Sequence, residues 1–169
     1  MGCYWDGVTC KDRICNNAPI NMITEESCKL FRSDGICTIK ANGGCITRTT
    51  CSITIIKEAC TKDILGNECF WNGVSCVDKI CDNAPNTLIT NSDCDKFKGG
   101  CITKSGGGCV TNGSCSAANI EVACVKNSIG VPCIWDSSCK EKTCANASIL
   151  NTTNDACEAY LSGSNCITK

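Results

Sequence analysis

Apolar and polar positions along the 169 residues follow no long helical or strand period; they form short blocks that recur. In "TEESCKLF", "TNSDCDKF" and "TNDACEAY", a cysteine and an aromatic three residues later share one face: Cys28 with Phe31, Cys94 with Phe97, Cys157 with Tyr160. A threonine stands four residues before each of these cysteines. The pattern predicts three short helices with Thr24, Thr90 and Thr153 as N-caps. Asp93 adds a capping-box partner, and Gly35, Gly99 and Gly163 are the expected stops. After each of the first two helices come β-branched runs around glycine, "CTIKANGGCITR" and "CITKSGGGCVTN", which predict a hairpin with Asn42-Gly43 as its clearest turn signal. Ile56, Ala59 and Cys60 match Ile120, Ala123 and Cys124 at helical spacing, which predicts a further short helix in "IIKEAC" and "NIEVAC".

The recurrence is a true repeat. "CYWDGVTCKDRICNNAP" at residues 3–19 returns as "CFWNGVSCVDKICDNAP" at 69–85 with eleven of seventeen positions identical, and returns more loosely from Cys133 as "CIWDSSCKEKTCANAS". The first set of cysteines is Cys3, Cys10, Cys15, Cys28, Cys37, Cys45, Cys51 and Cys60. The second is Cys69, Cys76, Cys81, Cys94, Cys101, Cys109, Cys115 and Cys124, and the third is Cys133, Cys139, Cys144, Cys157 and Cys166. Only the gaps before the second and the fifth cysteine vary, as loop lengths do. Three units follow: repeat 1 at 1–66, repeat 2 at 67–130, and repeat 3 at 131–169, which stops after its fifth cysteine. Nine positions separate the last cysteine of one unit from the first of the next, a joint too short for independent tumbling.

Composition sets the compartment. Twenty-one cysteines in 169 residues exceed the roughly 8–10% that marks a disulfide scaffold, so all 21 are candidate disulfide residues and the chain is expected to be extracellular, at the cell surface or secreted. An odd count leaves at least one unpaired, expected in repeat 3. Eight cysteines allow 105 connectivities, and a bridge could close within a unit or run between units. A core this small supplies no more than about 3–5 kcal/mol, whereas each bridge contributes about 2–4 kcal/mol. Trp5, Trp71 and Trp135 read as the packing centres of their units.

Several functions are argued against. No two cysteines are closer than five positions and histidine is absent, so no zinc site and no C-x-x-C redox motif is expected, and no cofactor. Without histidine the commonest general base is missing, and carboxylates such as Glu25-Glu26 or Asp93 and Asp95 hold no fixed register between repeats; an enzyme is not expected. A formal charge of −1 with interspersed signs gives no electrostatic motive for nucleic acid. The longest apolar stretch is far short of the roughly 18 residues of a membrane span, so no direct membrane insertion is expected. Residues 1–20 lack the layout of a signal peptide, so the chain reads as an internal fragment of something longer. Asn112, Asn146 and Asn151 begin sequons that can accept N-linked glycans.

The unit C-x-W, C-x4-C, Asn-Ala, Thr-x3-Cys-x2-aromatic, Gly-Gly-Cys-[Ile/Val]-Thr and Ala-Cys resembles the cysteine repeat of the Paramecium surface antigens, the immobilisation antigens of ciliates, over essentially the whole chain. The resemblance implies a long, lipid-anchored (GPI-anchor) glycoprotein coating the cell, without catalytic residues. The expectation is a small disulfide-rich fold of tandem eight-cysteine repeats, with short helices and a β-hairpin per unit. Units of about 65 residues have a radius of gyration near 11 Å, so three in line would make an elongated rod on the order of 75–90 Å. The expected function is a structural surface coat, whose partners are its neighbouring repeats and copies of itself. The alternatives are a secreted filament or matrix protein of the same repeat, or an adhesin or protease-inhibitor binding module.

Overall fold

The computed structural model describes residues 2–32 and 34–168. The chain divides into two compact units, Met1–Asn83 and Ala84–Lys169. The first contains β1 (Cys3–Trp5), β2 (Cys10–Asp12), α1 (Glu25–Phe31), β3 (Cys37–Ile39), β4 (Cys45–Thr47), β5 (Cys69–Trp71) and β6 (Cys76–Asp78). The second contains α2 (Asn91–Phe97), β7 (Cys101–Thr103), β8 (Cys109–Thr111), β9 (Cys133–Asp136), β10 (Ser138–Glu141) and α3 (Asn154–Tyr160). Every sheet is a two-stranded antiparallel hairpin.

The three helices are seven residues long, too short to hold alone in water, and each is fixed at both ends of its first turn. Thr24, Thr90 and Thr153 cap them, each hydroxyl accepting at 3.1 Å from the backbone N–H of Ser27, Asp93 or Ala156. Ser27 closes the capping box on α1, its hydroxyl oxygen accepting from Thr24 N–H at 3.3 Å. The expected glycine stops differ in detail. Arg32 and Lys98, which end α1 and α2, are extended rather than left-handed. Gly35, Gly100 and Gly163 take positive φ a few residues later, so Gly100 rather than Gly99 makes the turn in the second repeat. The stretches "IIKEAC" and "NIEVAC" form single 3-10 turns, Lys57–Ala59 and Glu121–Ala123, because three residues after each β-conformation cap leave room for one turn only.

Cysteine makes the core. In the first unit Cys15, Cys28, Cys37 and Cys45 cluster with Ile39 and Ala59. Cys51, Cys69 and Cys76 form a second cluster with Trp71 and Cys60 against it. In the second unit Cys115 and Cys139 pack with Ile102, Ala118 and Ala123, and Trp135 lies on them. Trp71 and Trp135 thus pack as expected, each half-buried against disulfides. Trp5 does not: it is 66% exposed. Its hairpin is bridged only to itself by Cys3–Cys10, whereas the hairpins carrying Trp71 and Trp135 are bridged to Cys51 and Cys60 or to Cys115 and Cys124.

The hairpins at the C-x-W segments were not expected from sequence, although Asp6-Gly7 and Asn72-Gly73 carry the turn signal. Asp6 Oδ1 accepts from Val8 and Thr9 N–H at 2.8 and 2.7 Å, and Asn72 Oδ1 accepts from Val74 and Ser75 N–H at 2.9 Å. Lys11 lies 2.7 Å from Asp6. That ammonium first, then the two backbone N–H groups, holds the Asp6 carboxyl well below the ordinary carboxylate range.

Candidate functional site

The repeated feature of the molecule is its disulfide ladder. The third cysteine joins the fifth in the first and third repeats (Cys15–Cys37, Cys144–Cys166), and the fourth joins the sixth in the first and second (Cys28–Cys45, Cys94–Cys109). The seventh and eighth reach forward into the next repeat: Cys51–Cys69 and Cys60–Cys76, then Cys115–Cys133 and Cys124–Cys139. Cys81 and Cys101 are also disulfide-bonded. Cys157 is buried and unpaired. Bridges therefore close both within a repeat and across the joint, an alternative that spacing alone left open. Loops of 15 to 22 residues are closed, which corresponds to about 3 kcal/mol each in the chain-entropy account.

The joints are structured as well. Lys62 pairs with Glu68 as an isolated bridge, Cys69 N–H donates to Thr61 O at 2.9 Å, and the intervening turn is held by Asp63, whose Oδ1 accepts from Asn67 N–H at 2.8 Å. The Asn67 amide first, partly opposed by burial, lowers the Asp63 carboxyl. In the second unit Lys126 pairs with Pro132, and Asn127 Oδ1 takes the Asp63 role, accepting from Ile129 and Val131 N–H at 3.1 and 2.8 Å. A nine-position joint clamped by two disulfides and a closed turn cannot swing freely.

A second recurring staple ties each helix to the segment after the fifth cysteine. The first residue of each helix accepts from the backbone two residues past that cysteine: Glu25 Oε2 from Ile39 N–H at 3.3 Å, Asn91 Oδ1 from Thr103 N–H at 3.0 Å, Asn154 Oδ1 from Thr168 N–H at 3.0 Å. In the first repeat the carboxylate also pairs with the guanidinium of Arg48, and both side chains are mostly buried. Arg48 Nη1 goes on to donate to Lys62 O at 3.0 Å. Asn112 holds Arg48's register in the second repeat and its amide donates to Lys126 O at 3.3 Å. Beside Glu25, two more of the carboxylates weighed from sequence are engaged: Asp93 accepts from the Thr90 hydroxyl at 2.7 Å and Asp95 from Gly100 N–H at 3.0 Å, while Glu26 is exposed.

The sequon asparagines differ in availability. Asn146 donates through Nδ2 to Glu141 O at 2.7 Å, as Asn17 does to Asp12 O at 3.0 Å and Asn83 to Asp78 O at 2.8 Å, so this register is structural in all three copies. Asn146 Oδ1 also accepts from the Tyr160 hydroxyl at 2.9 Å. Asn112 is engaged at Lys126, while the side chain of Asn151 has no hydrogen bond among the described residues.

The sulfurs of Cys115, Cys133 and Cys139 lie within 4.8 Å of one another, but all three are in disulfides and offer no thiolate to a metal. An open hollow of about 530 Å³ is lined by Lys29, Thr61, Lys62, Glu68 and Lys79. The second repeat places Asp95, Val125 and Pro132 at the registers of Lys29, Thr61 and Glu68, so this charge pattern is not a repeated site. Among the described residues no helix is long and apolar enough to cross a membrane.

Comparison with known proteins matches this architecture to one family. The family model of the Paramecium surface antigen domain matches residues 22–82 and 88–145. The chain is 56% identical over 160 residues to the G surface protein, allelic form 168, of Paramecium primaurelia, and 55% identical over 160 residues to allelic form 156. Each alignment covers 95% of this chain and 6% of the relative, so the chain spans about 6% of the length of the curated relatives it matches. No solved structure matches. Two matched stretches that together take in most of the chain, with relatives alike over 95% of it, place this protein in the Paramecium surface antigen domain family.

Proposed function

We propose that the chain is a structural segment of an extracellular surface coat, in which covalent continuity from repeat to repeat is the functional property. The observation that carries this reading is the pair of disulfides across each joint, Cys51–Cys69 with Cys60–Cys76 and Cys115–Cys133 with Cys124–Cys139. A chain cross-linked this way keeps its fold in an oxidising exterior even where local packing is weak. The relatives are named as surface proteins, which supports a cell-surface location. The chain is not an enzyme in this reading, since its regular features occur two or three times and Glu25, Asp93 and Asp95 are engaged in local structural hydrogen bonds. Its partners are the adjoining repeats and copies of itself in the coat, the parent protein is lipid-anchored, and Asn151 is the sequon best placed to carry a glycan.

Antibodies against the folded chain test the location. They are expected to label intact, unpermeabilised cells that express the parent protein, and phosphatidylinositol-specific phospholipase C is expected to release the label. Labelling only after permeabilisation overturns the surface reading; surface label that the lipase leaves in place overturns the anchor.

A further inference from the structure

The helix caps and the cross-joint disulfides recur from repeat to repeat, but one cluster of charge does not. The hollow of about 530 Å³ lies within the Met1–Asn83 unit and is lined by Lys29, Thr61, Lys62, Glu68, Cys69 and Lys79. Its charges do not cancel. Lys79 Nζ lies 3.3 Å from Glu68 Oε2, and those two offset each other. Lys29 Nζ lies 3.9 Å from Glu25 Oε1, but that carboxylate is already paired with the buried guanidinium of Arg48. Lys62 makes no ion pair among the described residues. Lys29, Arg48, Lys62 and Lys79 thus stand against Glu25 and Glu68, which leaves a surplus of two positive charges on a chain whose formal charge is −1.

The groups behind the hollow add a donor. Arg48 Nη1 is 3.5 Å from Thr61 Oγ1 and donates to Lys62 O at 3.0 Å, while its Nε is buried without a hydrogen-bond partner among the described residues. The Thr61 oxygen accepts from Arg48, so the Thr61 hydroxyl proton is left to donate elsewhere. In the second repeat Asp95 takes the register of Lys29, Val125 that of Thr61 and Pro132 that of Glu68, and Asn91 and Asn112 replace Glu25 and Arg48. Lys142, at the register of Lys79, lies over the Tyr160 ring at 4.3 Å. An added carboxylate, a lost hydroxyl and a lost buried cation leave Lys126, the counterpart of Lys62, without the same surroundings.

We propose that this hollow binds a phosphate group of charge near −2, either inorganic phosphate or the phosphomonoester of a sugar. A phosphomonoester carries about −1.5 to −2 charges at neutral pH and offers three acceptor oxygens, which matches two surplus cations and one hydroxyl donor. Lys62 supplies the charge that no carboxylate offsets, Lys29 and Lys79 flank it, and Thr61 donates a hydrogen bond. The hollow is within the roughly 300–1,000 Å³ of small-molecule sites, so a sugar ring fits beside the phosphate.

The test titrates the intact chain at low ionic strength with inorganic phosphate, mannose 6-phosphate and mannose, and follows the backbone amides of Thr61, Lys62 and Cys69 by NMR. Saturable shifts are expected with both phosphates and none with mannose. Tighter binding of mannose 6-phosphate assigns the site to a sugar phosphate, and equal or weaker binding assigns it to inorganic phosphate. Lys62→Gln is expected to weaken binding about fivefold, the upper range for an exposed ion pair, and Glu68→Gln to tighten it about twofold by removing the carboxylate from the lining. Lys126→Gln makes the same charge change at the same register of the second repeat and is expected to leave binding unchanged. All three side chains belong to exposed residues, so the fold is expected to survive each substitution. The proposal is overturned if neither phosphate shifts these amides saturably, if mannose shifts them as the phosphates do, if Lys126→Gln weakens binding as much as Lys62→Gln, or if Glu68→Gln weakens it.

Discussion

Replacing Glu25 with alanine is expected to destabilise the Met1–Asn83 unit by about 3–5 kcal/mol, the cost of leaving a buried ion without its partner. The substitution strands the Arg48 guanidinium, whose side chain is 8% exposed, and deprives the Thr38 hydroxyl and Ile39 N–H of their acceptor. The paired substitution Glu25→Asn with Arg48→Asn is expected to cost far less, because it installs the Asn91 and Asn112 arrangement of the second repeat, in which neutral amides make the same two backbone contacts. Chemical denaturation of the double variant, of Glu25→Asn alone and of Arg48→Asn alone completes a double-mutant cycle. A double variant as unstable as the sum of the singles contradicts this account of the site.

Gly107→Ala is expected to cost about 3 kcal/mol or more and to loosen β7 and β8, summing a left-handed residue at about 1–2 kcal/mol with a lost hydrogen bond at about 1 kcal/mol and a forced backbone shift. Gly107 has φ +81°, and its Cβ would lie 2.0 Å from the backbone oxygen of Asn86, so no side-chain rotation relieves the clash. The Gly108 N–H to Leu88 O bond beside it is expected to be lost. Gly99→Ala is the control: nothing lies within 4 Å and its φ is ordinary, so its effect is expected within about 0.5 kcal/mol. Hydrogen exchange at Gly108 and denaturation midpoints read both.

The contrast between these glycines shows what was legible in the chain. Gly99 and Gly107 look alike as letters, and the left-handed φ of Gly107 and the approach of the Asn86 carbonyl separate them. The helices were readable because their signals are local: a threonine cap, and a cysteine and an aromatic on one face. The hairpins over 37–48 and 101–112 were readable from β-branched residues flanking glycine. The hairpins at Trp71 and Trp135 were missed because they are held by disulfides to the preceding repeat more than by alternation, and the one at Trp5 because it is closed by its own Cys3–Cys10 bridge. Connectivity was not legible, since spacing does not say which sulfurs meet in space. The same holds for Trp5: its letters match Trp71, but it has no Cys51-like bridge to pack upon. The staple from Glu25, Asn91 and Asn154 was present as a register, yet a Glu and two Asn share no residue type, only an acceptor oxygen.

Mapping the disulfides of the unreduced chain by partial proteolysis and mass spectrometry tests the central claim most directly. The account predicts peptides joining Cys51 to Cys69 and Cys60 to Cys76, with Cys115–Cys133 and Cys124–Cys139 as their counterparts in the second unit. Peptides joining Cys51 to Cys60 and Cys69 to Cys76 would contradict it, because each repeat would then close on itself and the joint would carry no covalent link beyond the backbone.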